Sequence, residues 1–81
     1  MTKFVVTFGP DHASRFRLPD YRGYVEVIAA SMTAAREVAF KWLGDQWCNL
    51  YAADRVRLDG FPSGCFGTAT TSSMVWKRAA A

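Results

Sequence analysis

Between Tyr24 and Tyr51 the spacing of hydrophobic positions changes period twice. Tyr24, Val25, Val27 and Ile28 form a β-branched and aromatic run of strand composition. Alternation puts Val25 and Val27 on one face, with Tyr24, Glu26 and Ile28 on the other. An aliphatic face backed by one that carries a charge predicts a sheet covered on one side only. From Met32 the spacing becomes helical, because Met32, Ala35, Val38, Ala39, Trp42 and Leu43 recur along one stripe. Ser31 is suited to cap the N-terminus, with Thr33 as a rival two residues later. Gly44 stands where a residue of positive φ would end the helix. Glu37 and Lys41 lie on the opposite side, spaced for a favourable i, i+4 pair. Phe40 falls off the centre of the stripe and has two fates, packing at the helix flank or exposure on a docking surface. After Gly44 the period returns to two. Trp47, Asn49 and Tyr51 alternate with Cys48 and Leu50, and Val56 and Leu58 alternate with Arg55 and Arg57. These pieces read as one bent strand or as a hairpin turning near residues 52–54.

The flanks complete the picture. In Lys3–Phe8, Phe4, Val6 and Phe8 share one face, while Lys3, Val5 and Thr7 share the other. Gly9-Pro10-Asp11 is a turn signal. The connection from there to Gly23 has no sustained period and is long beside the usual two to about six residues. Gly60–Gly64 reads as a loop, Cys65–Ser73 is rich in small residues, and Met74-Val75-Trp76 is suited to a last edge strand closed by Lys77 and Arg78. The expected fold is α+β: an antiparallel sheet of three strands, or four if Met74–Trp76 adds an edge, with one helix packed on one face in the order β-β-α-β. A single domain spans residues 1–78, with 79–81 a tail or an appended remnant. Its core is expected to hold Phe4, Val6, Val25, Val27, Ala35, Val38, Ala39, Trp42, Leu43 and either Trp47 or Cys48.

Composition narrows the function classes. The chain has 81 residues, of which 51% are hydrophobic and 15% aromatic, which suits one packed core and argues against disorder. No apolar run approaches the roughly 18 residues of a membrane span, and the N-terminal run is too short for a signal peptide, so a cytoplasmic setting is expected. Cys48 and Cys65 stand alone, and in that setting read as two buried thiols. The formal charge of +3 mildly favours acidic partners.

Catalytic and cofactor signatures are missing. No Walker loop, G-x-G-x-x-G, H-E-x-x-H or G-x-S-x-G is present. Residues 60–67 (GFPSGCFG) are glycine-rich but lack the lysine and the following helix of a phosphate cradle. His12 is the one base suited to neutral pH, and pairing it with Cys48 or Cys65 would require an exposed, activated thiol. Asp45, Asp54 and Asp59 are scattered through turns, where aspartate has local reasons to be. One histidine and two distant cysteines do not make a zinc site. No enzyme activity, cofactor or metal is expected.

The long connection is the candidate working part. Arg15, Phe16, Arg17, Tyr21 and Arg22 interleave cations with rings, a pattern suited to an acidic protein groove or to a phosphate backbone with base stacking. Its structural alternative tucks Phe16 and Leu18 under the sheet. Thr7-Phe8-Gly9, Tyr24-Val25, Ala35-Arg36 and the G-x-x-W-x-x-x-Y pattern from Gly44 through Trp47 to Tyr51 resemble a group of small proteins encoded by actinobacterial phages and prophages. The likeness covers about the first two-thirds of the chain. It departs in the basic-aromatic loop and in the tail after Leu58. The resemblance implies a phage accessory protein in the host cytoplasm with no catalytic role. The leading expectation is therefore a binder that modulates a host protein through Arg15, Phe16, Arg17, Tyr21, Arg22 and Phe40. The alternatives are a nucleic-acid-binding module built on loop 15–22, with Arg55 and Arg57 as further cations, and a homodimeric structural protein.

Overall fold

The computed structural model describes residues 1–77. Strands β1 (Thr2–Thr7) and β2 (Gly23–Ala29) are followed by helix α1 (Met32–Leu43) and strands β3 (Asn49–Ala52), β4 (Gly64–Ala69) and β5 (Met74–Trp76). They form an α+β domain with one five-stranded sheet ordered β3-β1-β2-β4-β5. The sheet is mixed. β1 runs antiparallel to β2 and β3, β5 runs antiparallel to β4, and β2 pairs with β4 in parallel. The all-antiparallel expectation is thus corrected. Strand β4 returns to the sheet after a long crossing and enters in the same direction as β2. The expected charge of Arg78 at the edge and the tail at 79–81 lie outside the described residues.

The helix follows its caps. The Ser31 hydroxyl accepts a bond from the Ala34 N–H at 3.1 Å, and Gly44 takes φ 62° with its N–H donating to the Phe40 carbonyl. Ala35, Val38, Ala39 and Leu43 are buried against Phe4, Val6, Phe8, Val25, Val27 and Phe66. Met32, expected on the stripe, is exposed at the open first turn. Trp42 is half-buried against the core, and its indole donates to the Thr70 carbonyl at 2.7 Å, tying the helix to the β4–β5 connection. Lys41 makes no ion pair with Glu37. Its ammonium instead donates to the Thr71 carbonyl at 2.6 Å and lies 5.1 Å from the Trp42 ring centroid.

The face of the sheet turned away from the helix is covered in part, although Asn49, Tyr51 and Val75 on it stay exposed. Val5 is 0% exposed, although it shares a face with Lys3, and Thr7 and Tyr24 on that face are also buried. From the outer strand β3 the chain must pass β1 and β2 to reach β4. Residues 53–63 make that passage through two short 3-10 turns, the first lying against β1. Phe61 meets the Tyr24 ring edge-on at 6.0 Å. Burial raises the Tyr24 phenol above its usual value, with smaller contributions from Cys65 and Glu26. The expected strand at Val56–Leu58 is therefore a crossing loop. Val56 is half-buried, whereas Arg55, Arg57 and Leu58 are all exposed, so the alternation has no ladder and only Val56 turns inward.

Strand β4 owes its place to small residues. The β2–β4 register shifts between Tyr24 and Val25, so that Tyr24 faces Cys65, Val25 faces Gly67, and Phe66 is the extra residue. This turns Phe66 into the core at 2% exposure. The space it fills is the one Gly23 leaves, since a Cβ on Gly23 would lie 2.4 Å from the Phe66 ring.

Candidate functional site

Loop 9–22 leaves β1 and enters β2 at one end of the sheet, and its backbone is pinned at both ends. At the start, the Gly9 N–H donates to His12 Nδ1 at 2.9 Å and the His12 N–H returns to the Gly9 carbonyl at 3.1 Å. With Nδ1 accepting, the neutral ring carries its proton on Nε2. A 3-10 turn over Ala13–Phe16 follows, and Arg17 then adopts φ 56°, the one positive φ outside glycine among the described residues. At the far end, Asp20 accepts from the Arg22 N–H at 2.7 Å and from the Ser63 hydroxyl at 2.6 and 2.8 Å. The Ser63 N–H donates to the Arg22 carbonyl at 3.1 Å, so the crossing loop and the basic loop are clasped together. The Ser63 bond, then the Arg22 N–H, hold the Asp20 carboxyl below its usual range.

The middle of the loop is anchored by its apolar side chains. Leu18 is buried. Phe16 meets Phe8 edge-on at 6.1 Å and stacks on Trp76 at 5.7 Å with 30° between planes. Phe8 in turn packs against Phe66 at 6.2 Å. Phe16 is thus half-buried in an aromatic cluster, the packing that the alternative reading expects of it. Arg15, Arg17, Tyr21 and Arg22 remain exposed. The ion pairs among the described residues are Lys3–Glu26 and Arg57–Asp59, so none of the loop arginines is paired there. Arg22 still feels the Asp20 charge.

Phe40 is 49% exposed, and its ring partner is Trp47, met edge-on at 5.2 Å. The Trp47 indole donates to the Gly44 carbonyl at 2.8 Å, which fixes the pair at the helix end. Residues 44–48 come back to the end of β1, where the Cys48 N–H donates to the Thr7 carbonyl at 2.8 Å. Phe40 and the basic loop therefore lie toward the same end of the sheet, although no ring contact joins them. Trp76 was not among the expected contact residues. Its signal was an aromatic at the end of a short edge strand.

The thiols are not buried as expected. Cys48 is exposed beside Asn49, whose amide donates to its sulfur at 3.2 Å, and Cys65 is half-buried and donates to the Gly67 carbonyl at 3.2 Å. Cys48 follows the helix turn at the sheet edge, where no layer covers it. Neither thiol bonds His12, whose Nδ1 is used by Gly9. Among the described residues no group of three or more His, Cys, Asp or Glu side chains is arranged to hold a metal ion, and no helix is long and apolar enough to cross a membrane.

The fold and this end of the sheet define a class: a small α+β domain that presents a braced basic loop beside an aromatic edge. No protein-family model matches the chain, and neither the curated proteins nor the solved structures contain a match to it.

Proposed function

We propose that this chain is a non-catalytic accessory protein that binds an acidic surface of a host protein through its basic loop and modulates that protein. The observation that carries this reading is the pairing of a fixed backbone with unneutralised charge. Gly9–His12, Asp20–Ser63 and the Phe16 and Leu18 anchors hold the loop, while Arg15 and Arg17 stand exposed without an ion-pair partner among the described residues. A loop already held in shape loses little further freedom on binding, so its cations act at small entropic cost. Phe40 on Trp47 supplies an apolar contact toward the same end. The likeness to small actinobacterial phage proteins in Thr7–Gly9, Ala35-Arg36 and Gly44–Tyr51 supports a host-protein partner in the cytoplasm of the infected cell.

A photo-crosslinking residue at Tyr21, used in actinobacterial lysate, tests this. The expected result is one dominant protein adduct that disappears when Arg15→Glu and Arg17→Glu are combined. Finding no protein adduct, or one indifferent to that reversal, overturns it. A nucleic-acid partner is the second reading, favoured by Tyr21 standing exposed beside Arg22. It is weakened because Phe16, the other ring of the loop, is stacked on Trp76. A mobility shift with single-stranded oligonucleotides that fades steeply with salt would move it to first place. Light scattering that finds a dimer dissolved by the same two substitutions would instead favour the homodimeric reading.

A further inference from the structure

Strand β5 ends the sheet, and its register shows which backbone groups are free. The Lys77 N–H donates to the Phe66 carbonyl at 2.8 Å and the Thr70 N–H to the Ser73 carbonyl at 2.8 Å, with Val75 opposite Thr68 between them. Antiparallel pairs alternate, so Val75 turns its N–H and C=O inward to β4, while those of Met74 and Trp76 point out from the sheet. Val75 is 60% exposed and Trp76 36%. The Phe16 ring stacked on Trp76 keeps its chain neighbours Arg15 and Arg17 beside this edge, and Lys77 follows it directly. None of these three cations forms an ion pair among the described residues.

An open edge bordered by cations selects its occupant. Two copies joined through β5 would pair antiparallel, with Lys77 of each opposite Ser73 of the other, and chains of net charge +3 would bring no carboxylate to the cations beside either edge. A neutral strand would satisfy the backbone and leave the cations unmatched. An acidic strand satisfies both. We infer that β5 receives, by strand addition, an extended acidic segment of a partner protein. The segment's backbone bonds Met74 and Trp76, and its carboxylates, on the same face as Trp76, face Arg15 and Arg17. This rests on the basic-loop reading above and states how the partner engages.

The probe is an eight-residue acetylated peptide of alternating glutamate and valine, titrated into isotope-labelled protein and followed by NMR. The expected result is movement of the Met74 and Trp76 amides with new cross-strand contacts. Affinity should fall at least about tenfold when the four central peptide amides are N-methylated, since two or more hydrogen bonds are lost. A lysine-for-glutamate peptide should not bind. If the acidic peptide shifts the loop amides and N-methylation leaves its affinity unchanged, strand addition is overturned and the basic-loop reading stands. If the peptide pairs with β5 and the Arg15→Ala, Arg17→Ala variant binds it equally well, the basic-loop reading falls and with it the acidic preference. Silence at residues 74–76 up to millimolar peptide also overturns strand addition.

Discussion

Gly67 faces Trp76 across the β4–β5 pair so closely that a Cβ on Gly67 would sit 2.5 Å from the Val75 carbonyl oxygen and 3.1 Å from the Trp76 Cα. Both atoms belong to backbone and cannot swing aside. Gly67→Ala should therefore push β5 off the sheet and cost about 2 kcal/mol or more in urea unfolding. Gly60→Ala, where nothing lies within 4 Å, is the control and should change stability little. Equal midpoints for the two variants would contradict the close β4–β5 approach.

Val5 tests the covered part of the second face. Because it is 0% exposed, Val5→Ala should destabilise by about 2 kcal/mol, whereas Lys3→Ala on the same face should stay within about 0.5 kcal/mol. Phe61→Ala should speed amide exchange at Val5 and Tyr24 by uncovering them. A neutral Val5→Ala would mean that residues 53–63 do not seal that face.

The Trp42 indole joins the helix to the Thr70 carbonyl. Trp42→Phe keeps a ring and loses the donor, so it should cost about 1 kcal/mol, with Trp42→Ala nearer 3 kcal/mol. Chemical denaturation of the two variants separates hydrogen bond from packing.

Asp20 predicts an acid-dependent clasp. Its carboxyl is held below the ordinary value by Ser63 first and the Arg22 N–H second. The ionised form is favoured in the fold, so the stabilisation is fully present above the unfolded pKa of about 4 and is lost as pH falls through the lower folded value. The melting-temperature gap between wild type and Ser63→Ala should be widest at neutral pH and should narrow as pH falls below about 4. A gap that does not vary with pH would show that Ser63 acts by packing alone.

Arg17 at φ 56° sits in the left-handed region that disfavours a Cβ. Arg17→Gly should leave thermal stability equal or raise it by up to about 1 kcal/mol while weakening partner capture. A site kept strained at a cost in stability is the pattern expected of a working loop. Lower stability in Arg17→Gly would remove that interpretation.

Some of this architecture was legible in the residues and some was not. Helix α1 was, because Ser31, the stripe through Ala35, Val38, Ala39 and Leu43, and Gly44 all agree on its limits. β1 and β2 announced themselves by alternation. Strand β4 was hidden, since Gly64–Ala69 carries one large apolar residue and is strand only because Gly23 and Gly67 admit neighbours closely. Val56 and Leu58 misled in the other direction, since only Val56 turns inward from the crossing loop while Leu58 is exposed. In the candidate site, the arginines and Tyr21 were placed at the surface as their charge and polarity suggest, but Phe16 went to Trp76. That choice depended on Met74–Trp76 reaching the same end, a tertiary fact that local spacing does not carry.

The parallel β2–β4 pair has a consequence for the order in which the sheet can close. Strands β1 and β2 need only the loop between them to meet, yet β2 acquires its outer neighbour only from Gly64–Ala69, beyond the helix and the 53–63 crossing. A chain that has paired β1 with β2 but not β2 with β4 shows the backbone of Val25 and Val27 as an unguarded border. Vulnerability to clumping belongs to that half-built sheet and ends once the late segment zips in beside β2.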